Sequence, residues 1–205
     1  MASIFNTVEV TTGKTARILN FLNSADDFFI AIGKNTPWDS SWGVNVSDTN
    51  PPSPSVERTS IVEPIIYKRI EIGSGAGAAS RNTKCEDIVS NEETLSSVIL
   101  TQQTLTQQNY TLYSKEELIN EDGTFAKNPE FIYVSGEILG IEYQADSWRT
   151  SALYTKLFFE EGVPNNLLIY TPDQVKGGLL QHLTFNTPVE REDGKRHKFE
   201  YLINV

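Results

Sequence analysis

The sequence predicts an α+β, strand-dominated fold: a β-sandwich-like domain with one N-terminal helix and an inserted middle segment. Two observations predict it. Short apolar runs bounded by Gly, Pro or Asn recur at both ends of the 205-residue chain, and the composition becomes small and polar from residue 73 to residue 130. We therefore expect residues 1–72 and 131–205 to form one β-rich domain, with 73–130 as an inserted polar segment of short helices or strands.

The first 33 residues predict strand, helix and strand in that order. Ile4 to Val10 carries β-branched residues, and the threonines that follow can cap a helix that ends at Leu22. Phe28 to Ile32 is a short apolar run ended by Gly33, which is typical of a buried strand. This region supplies the single N-terminal helix of the predicted fold.

A long loop is predicted from Asn35 to Pro54, because Asn, Ser, Asp, Pro and Gly dominate its composition. It also contains Trp38 and Trp42, which need a surface to pack on. Strand-like composition returns from Ile61 to Ile72, where we expect Pro64 at an edge or bulge and the Lys68-Arg69 pair facing solvent.

The inserted segment opens with the flexible run from Gly73 to Ser80 and continues rich in Thr and Gln. Capping-box spacing at Ser90 and at Ser114 predicts two short helices, and residues 121–123 predict a turn. The pattern from Leu95 to Leu105 is compatible with either helix or strand.

Four further strands are predicted around residues 131–134, 138–141, 154–159 and 167–170. The C-terminal pattern is the clearest in the chain. Apolar residues alternate from Leu183 to Val189 and again from Phe199 to Val205, and Asp193-Gly194 lies between the two runs. We therefore expect a terminal β-hairpin.

Charge and composition exclude several classes of partner and cofactor. The formal charge of −10 and the pI near 4.7 argue against nucleic acid and against anionic membrane surfaces, and favour protein partners. With one cysteine, Cys85, and two histidines, no zinc site of the usual spacing is available, and we expect no cofactor. Neither an export signal nor a membrane span is visible, so assembly in the cytoplasm is expected.

No set of residues points to catalysis. Gly13-Lys14-Thr15 lacks the first glycine of a phosphate-binding loop, because Val8 stands in its place. We interpret His182 and His197 as ordinary sheet or surface histidines. The sequence contains no Gly-x-Ser-x-Gly motif. We expect a chain that is not an enzyme; a small hydrolase with an unrecognised site is the alternative.

Two stretches resemble a known family. Residues 15–24, 28–34 and 36–38, which read TARILNFLNS, FFIAIGK and TPW, resemble the N-terminal signature of the baseplate wedge protein of T-even-like contractile-tailed bacteriophages, the family named for gene product eight. Residues 167–172, 178–191 and 199–203 resemble that family's final strands in the same order. The chain is shorter than the T-even protein and carries the Thr/Gln-rich segment where that family has a larger region.

The resemblance implies a virion structural protein of the tail baseplate without enzyme activity. Its implied partners are other baseplate wedge proteins and tail-fibre attachment proteins, and it implies a homodimer. Trp38 and Trp42 are then candidate interface residues, because tryptophan is enriched at binding hot spots; the alternative is that both pack on the protein's own core. A tail-fibre or collar adaptor and a carbohydrate-binding β module remain alternative functions.

Overall fold

The computed structural model describes residues 16–18, 20–21, 28–70, 96–103, 110–113, 120–122 and 131–204. The chain divides into two compact units: Met1–Ser24 with Ile72–Val134 and Leu202–Val205, and Ala25–Glu71 with Ser135–Tyr201. Strands dominate the described residues, which confirms the predicted fold class.

The strands of the described residues form two sheets. They are β1 Phe28–Gly33, β2 Pro64–Ile70, β3 Ser96–Gln103, β4 Tyr110–Tyr113, β5 Phe131–Leu139, β6 Ser147–Phe159, β7 Ile169–Tyr170, β8 Val175–Glu190 and β9 Arg196–Asn204. The first sheet has the strand order β7-β2-β1-β6-β8 and the second β4-β3-β5-β9. Three 3₁₀ turns, Ser40–Trp42, Gly140–Glu142 and Pro172–Gln174, lie between these strands.

Strand β1 lies at the centre of the first sheet and is buried on both faces, so its sequence is continuously apolar rather than alternating. It pairs antiparallel with β2 and with β6. On one face Phe29 and Ala31 pack in a core with Tyr67, Tyr154 and Tyr170. Ile61, near the end of the long loop, belongs to the same core, and its backbone N–H donates to the Tyr154 hydroxyl at 2.9 Å.

Within the second unit, β5 and β9 supply contacts to the other face of the first sheet. Gly136 of β5 lies so close that an added Cβ would stand 2.6 Å from the Ile30 Cδ1 atom, so a larger residue would require the Ile30 side chain to shift. From β9, the ring of Phe199 lies 5.7 Å from that of Trp148 in β6. Within this unit, parts of β5 and β9 therefore pack against the first sheet.

Several predicted elements can be compared directly with the structure. Residues 16–18 and 20–21 are helical, as the N-terminal helix requires. The segment from Leu95 to Leu105, whose pattern is compatible with helix or strand, contains strand β3. Pro64 lies opposite Gly33 at an irregularity in the pairing of β1 with β2. The remaining predictions before residue 15, the capped helices of the insertion and the run from Gly73 to Ser80 lie outside the described residues.

The terminal hairpin is a wrong prediction. Both strands form, and the turn between them is closed by a hydrogen bond from the Lys195 N–H to the Glu192 carbonyl, at 2.9 Å. However, β8 pairs with β6 in the first sheet, whereas β9 is an edge of the second. Alternation identifies the face of a strand but not its neighbour, so the turn joins two sheets instead of closing a hairpin.

The expectation that Lys68 and Arg69 face solvent is also wrong. Lys68 is buried, and its ammonium donates to both carboxylate oxygens of Glu142 at 2.7 and 2.8 Å. Arg69 lies with its guanidinium 4.9 Å from the Phe29 ring centre and donates to the backbone carbonyls of Asn165 and Leu167. Both cations therefore belong to the packing of the first sheet.

Candidate functional site

The loop between β1 and β2, residues 34–63, carries an aromatic cluster formed by Trp38, Trp42 and Phe185. The Trp38 ring lies 5.0 Å from that of Trp42 and 4.9 Å from that of Phe185 in β8. The indole N–H of Trp38 donates to the Asn186 carbonyl at 2.8 Å. The cluster thus attaches the middle of the loop to the edge strand of the first sheet.

Two cations cover the rings of this cluster. The Lys34 ammonium lies 5.0 Å from the Trp38 ring centre and 5.4 Å from that of Trp42, and only 2% of Lys34 is exposed. The Arg58 guanidinium lies 4.9 Å from the Trp42 ring centre and 5.7 Å from the Phe185 ring centre. Each such cation–π contact contributes about 0.5–2 kcal/mol, depending on how far it is desolvated.

The Lys34 ammonium needs further partners because it is removed from water. It donates to the Thr36 hydroxyl at 2.8 Å and lies 3.4 Å from a Glu63 carboxylate oxygen. The Thr36 hydroxyl in turn donates to the other Glu63 oxygen at 2.8 Å. These contacts join the two ends of the loop, and the Lys34 N–H donates to the Glu63 carbonyl at 2.8 Å beside them.

An ion pair holds the loop from the side. Asp48 accepts two hydrogen bonds from the Arg149 guanidinium of β6, at 2.6 and 2.8 Å, and a third from the Trp38 backbone N–H at 2.9 Å. Arg149 is 5% exposed and also donates to the Asn35 carbonyl and to the Ser147 hydroxyl. These hydrogen bonds, chiefly those from Arg149, lower the pKa of the Asp48 carboxyl, so the pair is charged at neutral pH.

The structure distinguishes the two predicted interface residues. Trp38 is 3% exposed and packs against the chain itself, whereas Trp42 is partly exposed between the Arg58 guanidinium and the Trp38 ring. Sequence patterns did not predict Arg58, which lies in the same loop, or Phe185 and Arg149, which come from distant parts of the chain. Only the need of two loop tryptophans for a packing surface indicated that such partners exist.

In the described residues, the other side chains with possible catalytic or metal-binding roles lie apart from one another. They contain no group of three or more His, Cys, Asp or Glu that could hold a metal ion, and no helix long and apolar enough to cross a membrane. His197 is buried beside Trp148 and Tyr143, and burial lowers its pKa; burial likewise lowers the pKa of His182. Cys85 and Gly13-Lys14-Thr15 lie outside the described residues.

Comparison with known proteins supplies the identity that this geometry lacks. Residues 6–205 match the family model described as "Baseplate wedge 3 tail fiber network component". The chain belongs to this family. It is also 25% identical over 187 residues to "Virion protein 3" of Enterococcus phage phiEF24C, covering 91% of this chain and 88% of that protein.

The family match has direct consequences for function. The chain is a structural component of a phage tail, and its place is in the virion, as part of the baseplate. This confirms the broad resemblance to baseplate wedge proteins that the sequence carries.

Proposed function

We propose that this baseplate component is a wedge subunit that assembles with other wedge proteins and with tail-fibre attachment proteins, and that it does so as a homodimer in the cytoplasm of the host. The observation that carries the proposal is the family match across residues 6–205, which includes both ends of the chain. A specific relationship to the T-even gene product eight family is part of this proposal, as is the division into residues 1–72 with 131–205 and an inserted 73–130.

The loop of residues 34–63 is the surface that we propose for partner binding. Trp42 is partly exposed, and two apolar side chains of the same loop, Val44 and Val56, are 90% and 102% exposed. The buried contacts of Trp38, Lys34 and Asp48 hold this loop in one conformation before a partner arrives. Little conformational entropy is then lost when the loop is bound, which favours affinity.

The exposed residues of the loop indicate what kind of contact it makes. The exposed part of Trp42 belongs to a residue type that dominates binding hot spots, and the Arg58 guanidinium over its ring provides a positive charge on a chain whose net charge is −10. A partner surface with an apolar pocket and a neighbouring carboxylate fits this pair. Trp38, which is buried, packs against Trp42 and helps to hold its ring in position.

The proposal is tested by co-expression of this chain with the products of the neighbouring tail genes, followed by size-exclusion chromatography with light scattering. We expect a defined hetero-complex with the wild-type chain, and its loss with Trp42→Ala. The matched control is Phe158→Ala, which removes another partly exposed aromatic side chain, in β6 outside the loop.

Two outcomes would count against this assignment. If Trp42→Ala and Phe158→Ala assemble equally well, the loop is not the interface. If no tail protein associates with the wild-type chain, the wedge role is wrong. The number of copies per virion then tests a tail-fibre or collar adaptor, and binding on a glycan array tests a carbohydrate-binding module.

A further inference from the structure

Arg58 differs in its contacts from the other arginines that the structure describes from residue 28 onward. Those others donate to carbonyl or carboxylate oxygens of the chain, namely Arg69, Arg149, Arg191 and Arg196. The Arg58 guanidinium instead lies over the rings of Trp42 and Phe185. Among the residues that the structure describes, none accepts a hydrogen bond from this guanidinium or forms an ion pair with it.

The backbone that carries Arg58 is held on both sides. The Arg58 N–H donates to the Ser55 carbonyl at 3.2 Å, and the Glu57 N–H donates to the Ser55 hydroxyl at 3.2 Å, which closes a turn. Three residues further on, Ile61 is buried and bound to the Tyr154 hydroxyl. Because the rings also restrict the side chain, part of the entropy that an exposed arginine loses on binding is already lost in the unbound chain.

The chemistry of a guanidinium defines what this position can bind. Its five N–H donors lie in one plane and form a rigid fork, and an aromatic ring satisfies none of them with a strong hydrogen bond. A carboxylate matches the fork with two parallel N–H···O bonds, which fix the orientation of both groups. The exposed Arg58 side chain is therefore suited to an Asp or Glu side chain of another protein.

Two other classes of ligand fit the same position less well. A sugar ring stacks on a bare aromatic ring, whereas the Trp42 ring has the Arg58 guanidinium 4.9 Å from its centre and the Lys34 ammonium 5.4 Å from it. Nucleic acid is bound by several cations along a groove, whereas Glu57 stands next to Arg58 in a chain of net charge −10 and Lys34 is buried.

An apolar side chain of the same turn adds to the specificity of such a contact. Val56, two residues before Arg58, is fully exposed. A partner surface that covers Val56 excludes water from the neighbouring ion pair, and hydrogen bonds between charged groups are stronger where water is excluded. The turn thus combines one apolar contact with one directed, charged contact.

We propose that Arg58 is the residue of the loop that determines partner specificity, and that its guanidinium binds an Asp or Glu carboxylate of a partner tail protein through two N–H donors. The inference rests on the proposed function and deepens it, because it assigns the recognition step to one residue. Trp42 and Phe185 then hold the guanidinium in position, and Trp42 acts on the partner chiefly through Arg58.

Isothermal titration calorimetry with the tail protein that co-purifies with the wild-type chain tests this assignment. Arg58→Gln removes the charge and should raise the dissociation constant about 10- to 100-fold. Arg58→Lys keeps the charge but loses the fork, and should raise the constant about tenfold. Arg196→Gln is the matched control and should leave the constant unchanged, because it removes another exposed arginine, in β9 outside the loop.

A double-mutant cycle and salt dependence separate recognition from a purely structural role. If Trp42 acts through Arg58, the losses of affinity in Trp42→Ala and Arg58→Gln should not add in the double variant. The wild-type dissociation constant should also rise between about 50 and 500 mM NaCl, and rise less in Arg58→Gln. Thermal melts of each variant show whether its loop remains folded; should Arg58→Gln unfold early, Arg58→Lys supplies the comparison.

A zero-length cross-link identifies the carboxylate directly. A carbodiimide activates a carboxylate, and the amine of Arg58→Lys can then displace the urea by-product to form an amide with it. Mass spectrometry should find position 58 joined to an Asp or Glu of the partner, a product that neither the wild-type chain nor Arg196→Lys gives. Replacing that acidic residue with Arg should restore binding to Arg58→Glu.

The outcomes separate this inference from the proposed function. If Trp42→Ala abolishes the complex while Arg58→Gln binds as tightly as the wild-type chain, the loop is the interface and the role of Arg58 is wrong. Binding that weakens in Arg58→Gln without a change in salt dependence, and without a cross-link from Arg58→Lys, overturns the carboxylate contact. A wild-type chain that binds no tail protein overturns the wedge role, and this inference with it.

Discussion

Replacing Asp48 with Asn should destabilise the chain measurably, because it removes the charged partner of a buried arginine. Arg149 is 5% exposed and would keep its charge, while one of its two hydrogen bonds to Asp48 would meet an amide N–H instead of an oxygen. Removing one partner of a buried ion pair costs about 3–5 kcal/mol. Since 31% of the Asp48 side chain is exposed and water can reach the pair, we expect about 2 kcal/mol, or roughly 4–8 °C in melting temperature.

Urea unfolding followed by circular dichroism measures this free energy, and tryptophan fluorescence reports on the loop through Trp38 and Trp42. Asp146→Asn is the control, because it makes the same chemical change at an exposed position. If Asp48→Asn and Asp146→Asn unfold at the same urea concentration, the ion pair does not hold the loop and the argument fails.

The same variant has a defined pH dependence. Hydrogen bonds from Arg149 lower the pKa of Asp48 in the folded chain, so the stabilisation is complete above the ordinary aspartate pKa of about 4 and disappears as the pH falls through the folded-state pKa. The difference in unfolding free energy between wild type and Asp48→Asn should therefore shrink below about pH 4. A difference that stays constant down to pH 2 would contradict the charge-based explanation.

Three further changes test other parts of the structure. Trp38→Phe removes the hydrogen bond to β8 and should cost about 1–2 kcal/mol in urea unfolding. Gly140→Ala directs a methyl group into the Glu192 carbonyl and should cost about 3 kcal/mol or more, whereas Gly177→Ala meets open space and should be nearly neutral; thermal melts of the two variants give the comparison. Burial lowers the pKa of His197, so unfolding free energy should fall as the pH drops from about 6.5 through the folded-state pKa, and His197→Gln should reduce this dependence.

Much of the fold could be predicted from the sequence, because the composition of several strands reflects how deeply they are buried. Strand β1 is apolar at every position because both of its faces are covered, and the predicted run Phe28 to Ile32 matches it closely. Strand β6 was only half predicted, from Tyr154 to Phe159. Its first half, from Ser147, contains polar residues that are nevertheless buried, because they bind neighbouring elements instead of water.

The candidate site was harder to predict from the sequence, because several of its contacts join residues that are far apart in the chain. The two tryptophans indicated that the loop packs on something, but neither the Phe185 ring nor the Arg149 guanidinium could be assigned to them. Arg149 is separated from Asp48 by 101 positions, and its surroundings in the sequence resemble those of any exposed arginine. Pairing of this kind follows from strand order, which local patterns do not encode.

The error over the terminal hairpin bears on how this chain can assemble. In a hairpin, β9 would cover the outer edge of β8; in the structure β9 joins the second sheet, and no described strand takes its place. The Asp193-Gly194 turn therefore leaves one side of β8 without a pairing strand in the described part of the chain, while β8 still holds Phe185, on which Trp38 and Trp42 pack. The same strand thus supports the loop proposed for heterologous partners. A change in β8 that displaces the Phe185 ring should therefore weaken the binding of those partners.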